Sequence, residues 1–267
     1  MTTLVHRRST PSALDELIAS APEHPAELSD DHRRSLSSRF RAVATTEHRA
    51  IDAWMVEHAG KPRDGFAWSP LMTRRTLANA ALRRVRAHDV SVLDAVNDEI
   101  NELVVRAAAG YARAGSLASW LAQLSPTARS VVLAEASSWA SQLIEISSPL
   151  THPWSVAVAD AHFDVAQART SLRGRRDVIV EGPHGRVVVR VRAGAPGKSA
   201  GPGLRADLTI DALSEPAGRA STRFVGLWPE AGVLLAVDGT MDDLRAGARD
   251  LVRTAVAWRR HRLTLAA

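Results

Sequence analysis

The stretch that most constrains the fold is Leu172–Gly194, LRGRRDVIVEGPHGRVVVRVRAG. Two valine-rich runs flank Gly182-Pro183-His184-Gly185, a composition that turns a chain back on itself, so the segment is expected to form a β-hairpin. Alternate residues of a strand share a face. Asp177, Ile179 and Glu181 therefore lie on one side of the first strand, and Val188, Arg190 and Arg192 on one side of the second. If those faces match, Asp177 lies near Arg190 or Arg192.

Helices fill the chain ahead of the hairpin. Ser12 to Ala21 reads as a short amphipathic helix, and Ser29 to about Ala59 as a long one with Leu36, Phe40, Val43, Ala50 and Trp54 near the helical period. Gly60 to Pro70 reads as a loop. Thr73–Ala87 and Ser91 to about Ala114 follow as helices, the latter striped by Val92, Val96, Ile100, Leu103, Ala107 and Tyr111. Ser116 opens a short helix that stops before Pro126. Thr127–Ile146 is a strong helix with Val132, Ala136, Trp139, Leu143 and Ile146 on one stripe.

Strand patterns then dominate, at about Ser155–Ala161, Asp177–Glu181, Val187–Arg192 and Thr222–Trp228, with Val233–Val237 pairing to the last across Pro-Glu-Ala-Gly. Leu204–Leu213 is expected as a helix between strands. Thr240 with Asp243 three residues on is a capping-box pattern for a final helix, whose buried stripe is Leu244, Ala248, Leu251, Ala255 and Trp258. The expected class is α/β (α+β): an N-terminal helical region over 1–126, then a mixed central sheet flanked by helices over 127–267.

The hairpin and its neighbours resemble the PD-(D/E)XK nuclease superfamily, in particular its RecB-like branch, where a Gly-x-x-Asp strand precedes a strand bearing an acid, one residue and a lysine. Gly174-Arg175-Arg176-Asp177 matches the first part, and Val188-Val189-Arg190-Val191-Arg192-Ala193-Gly194 matches the second in spacing and apolar frame. Asp207 and Asp211 fall on the following helix where that branch carries Gln and Tyr, and Glu135 on the preceding helix where it often places a metal-directed acid or histidine. The resemblance covers roughly 127–267 and implies a PD-(D/E)XK-like core.

Two departures govern what the resemblance implies for function. That chemistry needs two carboxylates on Mg²⁺ and a lysine near the attacked phosphate. Arg190 stands at the acid position, where it repels a cation, and Arg192 at the lysine position, where a guanidinium stays protonated. The leading expectation is thus a catalytically inactive nuclease-like protein that binds nucleic acid or a protein partner, with Arg176, Arg190 and Arg192 as binding residues. No metal is expected. Were one held, Asp177 and Glu135 would hold it. The alternatives are an active Mg²⁺-dependent nuclease with a migrated site of Glu135, Asp177 and Asp207, and an interaction module that uses the helical half. A plain Asp177–Arg190 or Asp177–Arg192 ion pair would serve as glue for the old pocket.

Composition narrows the field by exclusion. No cysteine is present, which removes disulfides, thiol nucleophiles and cysteine-held clusters. No apolar run reaches about 18 residues and no h-region opens the chain, so a cytoplasmic protein without a membrane partner is expected. The net charge of +5 permits an anionic partner without demanding one. Only Lys61 and Lys198 are lysines, an arginine bias that reads as a GC-rich genome.

Weaker signals resolve toward structure. Gly197-Lys198-Ser199 lacks the leading glycine of a phosphate loop, and Ala200-Gly201-Pro202-Gly203 is not expected to open a helix. The ten histidines show no metal-ligand spacing, and His162 with Asp164 reads as a solvated pair. Arg74, Arg75, Arg83, Arg84 and Arg86 give one helix a basic, solvated face. The tryptophans sit on apolar stripes apart from Trp68 and Trp154.

Overall fold

Capping side chains and prolines set most helix starts in the computed structural model, which describes residues 5–8, 10–24, 28–43, 49–58, 68–165, 170–216 and 218–266. Strand β1 (Val5–Arg8) precedes α1 (Pro11–Ala19). Thr10 rather than Ser12 caps α1, accepting the Ala13 N–H at 3.1 Å, because Pro11 takes the first helical position where its missing N–H costs nothing.

The long helix expected from Ser29 to Ala59 is not one element. Helix α2 spans Asp30–Val43, β2 spans Arg49–Asp52, and α3 spans Ala53–Glu57. Asp52 makes the difference: it ends the strand in extended geometry and its carboxylate accepts the Met55 N–H at 3.0 Å, opening a new helix. Ala50 and Trp54 thus share an apparent helical period while belonging to different elements.

Two compact units divide the chain: residues 1–63 with 150–267, and residues 64–149. They do not coincide with the division expected at residue 126. The second unit holds α4 (Pro70–His88), α5 (Val92–Ala108), α6 (Leu117–Gln123) and α7 (Pro126–Ser147), capped in turn by Ser69, Ser91, Ser116 and Ser125. Its core joins Leu77, Ala81, Val96, Ile100, Leu121, Val132 and Ala136. Helix α5 ends six residues short of Ala114. Gly110 follows with φ +80°, and Tyr111, expected in the apolar stripe, is 85% exposed.

The first unit resumes with β3 (Trp154–Val156) and β4 (Ala161–Asp164), where one strand was expected; they join different sheets. Strands β5 (Thr170–Gly174), β6 (Val178–Gly182) and β7 (Gly185–Val191) follow, then α8 (Ala200–Ser214), β8 (Arg223–Trp228), β9 (Val233–Asp238) and α9 (Met241–Ala266). One sheet runs β1-β9-β8-β7-β6-β3 and the other β2-β5-β4. Both are mixed: β7 runs parallel to β8 and β2 parallel to β5, the other pairings being antiparallel.

Helix α8, the connection between β7 and β8, is buried on both sides. Leu204, Leu208 and Ala212 pack with Val188, Phe224, Trp228 and Val237 of the larger sheet. Ala206, Ile210 and Leu213 pack with Leu36, Phe40, Ile51, Val56, Leu172 and Leu251. Such a helix is apolar all round, which the sequence pattern shows as weak amphipathicity. It starts at Ala200, four residues before the expected Leu204. Ala200-Gly201-Pro202-Gly203 does open a helix, since proline fits the first turn. At its far end the guanidinium of Arg33 donates to the carbonyls of Ala212, Leu213 and Glu215, which α8 leaves unpaired. Helix α9 crosses α8 at Gly247, where a β-carbon would overlap Thr209 and the Arg205 carbonyl. Thr240 and Asp243 form the expected capping pair of α9, Asp243 N–H donating to Thr240 Oγ1 at 3.2 Å.

Candidate functional site

The hairpin register decides the site. Val178 faces Val189 and Ile179 faces Val188, which carries Asp177 across from Arg190. All three members of the resulting cluster are buried: Asp177 at 1%, Arg190 at 5% and Asp207 at 0% exposure. Arg190 Nε lies 3.3 Å from Asp177 Oδ2, and Arg190 Nη1 is paired with Asp207 Oδ2. Two backbone N–H groups complete the carboxylates: Val191 donates to Asp177 Oδ2 and Arg175 to Asp207 Oδ1, each at 3.0 Å. One guanidinium thus bridges the hairpin acid and the α8 acid.

Arg192 points elsewhere. Its two terminal nitrogens form a parallel fork on the two carboxylate oxygens of Glu57, at the end of α3. The guanidinium also lies 5.4 Å from the Trp228 ring centroid. Glu57 reaches this position because α8 carries Gly203 there; a β-carbon would overlap its carboxylate. The fork lines a pocket of about 460 Å³ whose other walls include His58, Lys198, Ser199 and Trp228. Lys198 is exposed. His58 stacks on Trp54 with ring centroids 4.1 Å apart. Gly194 N–H donates to Glu230 at 2.7 Å, fixing the loop that leads from β7 to the pocket.

Arg176, expected as a binding residue, belongs to a second internal network. Its Nε donates to Asp211 Oδ1 at 2.7 Å and its Nη2 to Glu215 Oε1 at 2.6 Å. Arg186 lies 3.2 Å from Asp211 Oδ2 and donates to Ser221 Oγ at 3.1 Å. Ser221 N–H also donates to Asp211, at 2.9 Å. Asp207 and Asp211, one turn apart on α8, each receive arginines from outside that helix. Glu135 lies in the helical unit, where its carboxylate is 3.7 Å from Arg74 and 43% exposed.

The smaller expectations also find their places. His162 and Asp164 pair at 3.0 Å on the exposed side of β4. Trp68 donates to the Gly115 carbonyl at 2.8 Å, and Trp154 lies in β3. Of the basic helix face, Arg84 is engaged by Glu102 at 2.6 Å, and Arg74 lies 4.1 Å over the Trp139 ring. Glu102 holds the Arg84 guanidinium above its ordinary value, and the same hydrogen bond holds the Glu102 carboxyl below its own.

A divalent cation of the kind the resemblance implies does not fit this arrangement. The two acids that would share it, Asp177 and Asp207, already share Arg190. No cluster of three or more potential metal ligands occurs among the described residues. A bridged, buried guanidinium blocks a cation by charge as well as by space.

Glu57, Arg186 and Glu215 were missed as site residues. Glu57 stands 135 positions before Arg192 in a stretch that scans as the tail of a helix, and no local pattern links the two. Asp211 carried a signal in its spacing from Asp207. The fold and site together define a mixed α/β protein with two arginine–carboxylate networks along one buried helix. Comparison with protein-family models, curated proteins and solved structures finds no match.

Proposed function

We propose that the chain acts by binding nucleic acid, within a PD-(D/E)XK-like core that no longer performs metal-dependent hydrolysis. The observation that carries this reading is Arg190, whose guanidinium bridges Asp177 and Asp207 at the point where a cation would have to sit. Expelling it would strand two buried carboxylates, at a cost of about 3–5 kcal/mol by the usual penalty for breaking a buried pair. A weakly held cation does not offset that.

The pocket beside the cluster supplies the binding half of the proposal. Arg192, Lys198 and His58 face one solvent-open cavity, and the chain carries a net charge of +5. Phosphate groups are the anions such a surface meets most often on a polymer.

Two assays on the full chain test this. Fluorescence anisotropy with single-stranded and duplex oligonucleotides should show binding that weakens steeply with salt and drops several-fold in Lys198→Glu. Incubation of the same oligonucleotides with Mg²⁺ or Mn²⁺ should yield no cleavage. Cleavage abolished by Asp177→Ala would overturn the inactive reading, and binding indifferent to salt and to Lys198→Glu would overturn the anion site.

A further inference from the structure

We infer that Glu57 is an internal stand-in for the anionic ligand, so that the Arg192 pocket is closed by default and opens by exchanging one two-oxygen anion for another. The inference rests on the binding function proposed above and specifies how that site is regulated and which group it takes.

Three observations carry it. The Glu57–Arg192 contact is a fork, each terminal nitrogen meeting its own carboxylate oxygen, which is the geometry by which arginine grips a carboxylate or a phosphate. The fork is not sealed in the core. Glu57 and Arg192 are 12% and 17% exposed and both line the pocket wall, so a solvent-borne anion in the pocket meets Arg192. Finally, the pocket keeps a second cation outside the fork: Lys198 is exposed and makes no ion pair among the described residues. With Glu57 in place the pocket holds Arg192, Lys198 and one carboxylate. Moving that carboxylate aside leaves two cations on a pocket that already measures about 460 Å³ with Glu57 in place.

The ligand class follows from what Glu57 imitates. It is an anion with two oxygens coplanar enough to fork onto one guanidinium, with further charge or a further oxygen for Lys198. A terminal phosphomonoester satisfies both demands at once, whereas an internal phosphodiester has only two free oxygens and a single charge. A 5′-phosphorylated oligonucleotide should therefore be preferred over the same strand ending in a hydroxyl. Glu57 closes α3, a helix of five residues, so its withdrawal needs a rotamer change and not the movement of a packed layer.

The decisive variant is Glu57→Gln, which keeps the shape and removes the charge. Titration of a labelled 5′-phosphorylated strand at fixed low salt should give roughly tenfold tighter binding to Glu57→Gln than to wild type. It should also show a phosphate-over-hydroxyl preference that the variant strengthens. Because Glu57→Gln leaves Arg192 under-compensated, thermal unfolding is read alongside: inorganic phosphate should raise the Tm of Glu57→Gln and leave wild type within a degree. Wild type and variant binding equally, with no stabilisation by phosphate, would overturn the stand-in role while leaving the anion site intact. Absence of salt-dependent binding in both proteins, and in particular no effect of Lys198→Glu, would overturn the underlying function itself.

Discussion

Arg190→Met is the most direct probe of the buried cluster. Methionine keeps the apolar stem of the side chain but removes the guanidinium that Asp177 and Asp207 share. Both acids are at most 1% exposed, so neither can recover its solvation by turning outward. Backbone N–H donors remain, from Val191 to Asp177 and from Arg175 to Asp207, but they do not replace a full positive charge. Removing one partner of a buried ion pair costs about 3–5 kcal/mol, and two like charges left side by side place this case at the upper end. For a unit of this size that is a fall in Tm of roughly 6–20 °C. Calorimetry and urea unfolding of the full chain give the magnitude, and hydrogen exchange at the Val191 and Arg175 amides places the loss at this cluster. The triple variant Arg190→Met/Asp177→Asn/Asp207→Asn should recover at least half of it, because the penalty is one of unpaired charge and not of volume. Millimolar Mn²⁺ should stabilise Arg190→Met more than wild type, since only the variant has room and charge for it. A loss below about 1 kcal/mol, or a triple variant no more stable than the single one, would refute the reasoning.

Gly203→Ala should displace the flexible Glu57 carboxylate without straining the backbone and so cost no more than about 1 kcal/mol in urea unfolding, and adding Glu57→Ala should bring no further loss. Asp15 provides a pH test. Burial pushes its carboxyl up, but hydrogen bonds from the Thr151 hydroxyl and backbone, together with His152, outweigh this and hold it below its ordinary value of 3.8. A depressed carboxyl contributes stability that is present above its unfolded value and is lost as pH falls through the folded one. Asp15→Asn should therefore cost about 1 kcal/mol near pH 7, a difference that shrinks as pH falls below 3.8, by thermal unfolding across that range.

What the sequence made legible is what local chemistry decides. The Gly182-Pro183-His184-Gly185 turn and the alternation of the two strands place Asp177 near Arg190 or Arg192, and the register selects Arg190. Ser91, Ser116 and Thr240 mark helix starts because a hydroxyl at that position satisfies an N–H the helix itself leaves open. What stayed hidden depends on distant partners. Shared alternation makes Arg192 an alternative neighbour of Asp177, but the strand ends at Val191 and the side chain turns to Glu57. Strand β2 was hidden because Ala50 and Trp54 imitate a helical stripe, and β5 because its pairing to β2 joins residues 49 and 170. Arg176 reads as a free cation in sequence and is occupied in three dimensions by Asp211 and Glu215.

The chain's order of units has a consequence for its birth on the ribosome. Strand β1 hydrogen-bonds to β9, Val5 lying opposite Ala236, so that edge of the larger sheet is not formed until β9 has been made. Residues 64–149 form a continuous unit whose first helix, α4, packs on its last, α7, so it can close as soon as α7 is clear of the exit tunnel. Strand β2 and helix α3, made before that unit, must wait for β5, β7 and α8 before the α3 glutamate has anything to close upon. The helical unit is thus a passenger that finishes folding in the middle of its host's synthesis, and it sets the interval during which the host's amino-terminal segment stands without its partners.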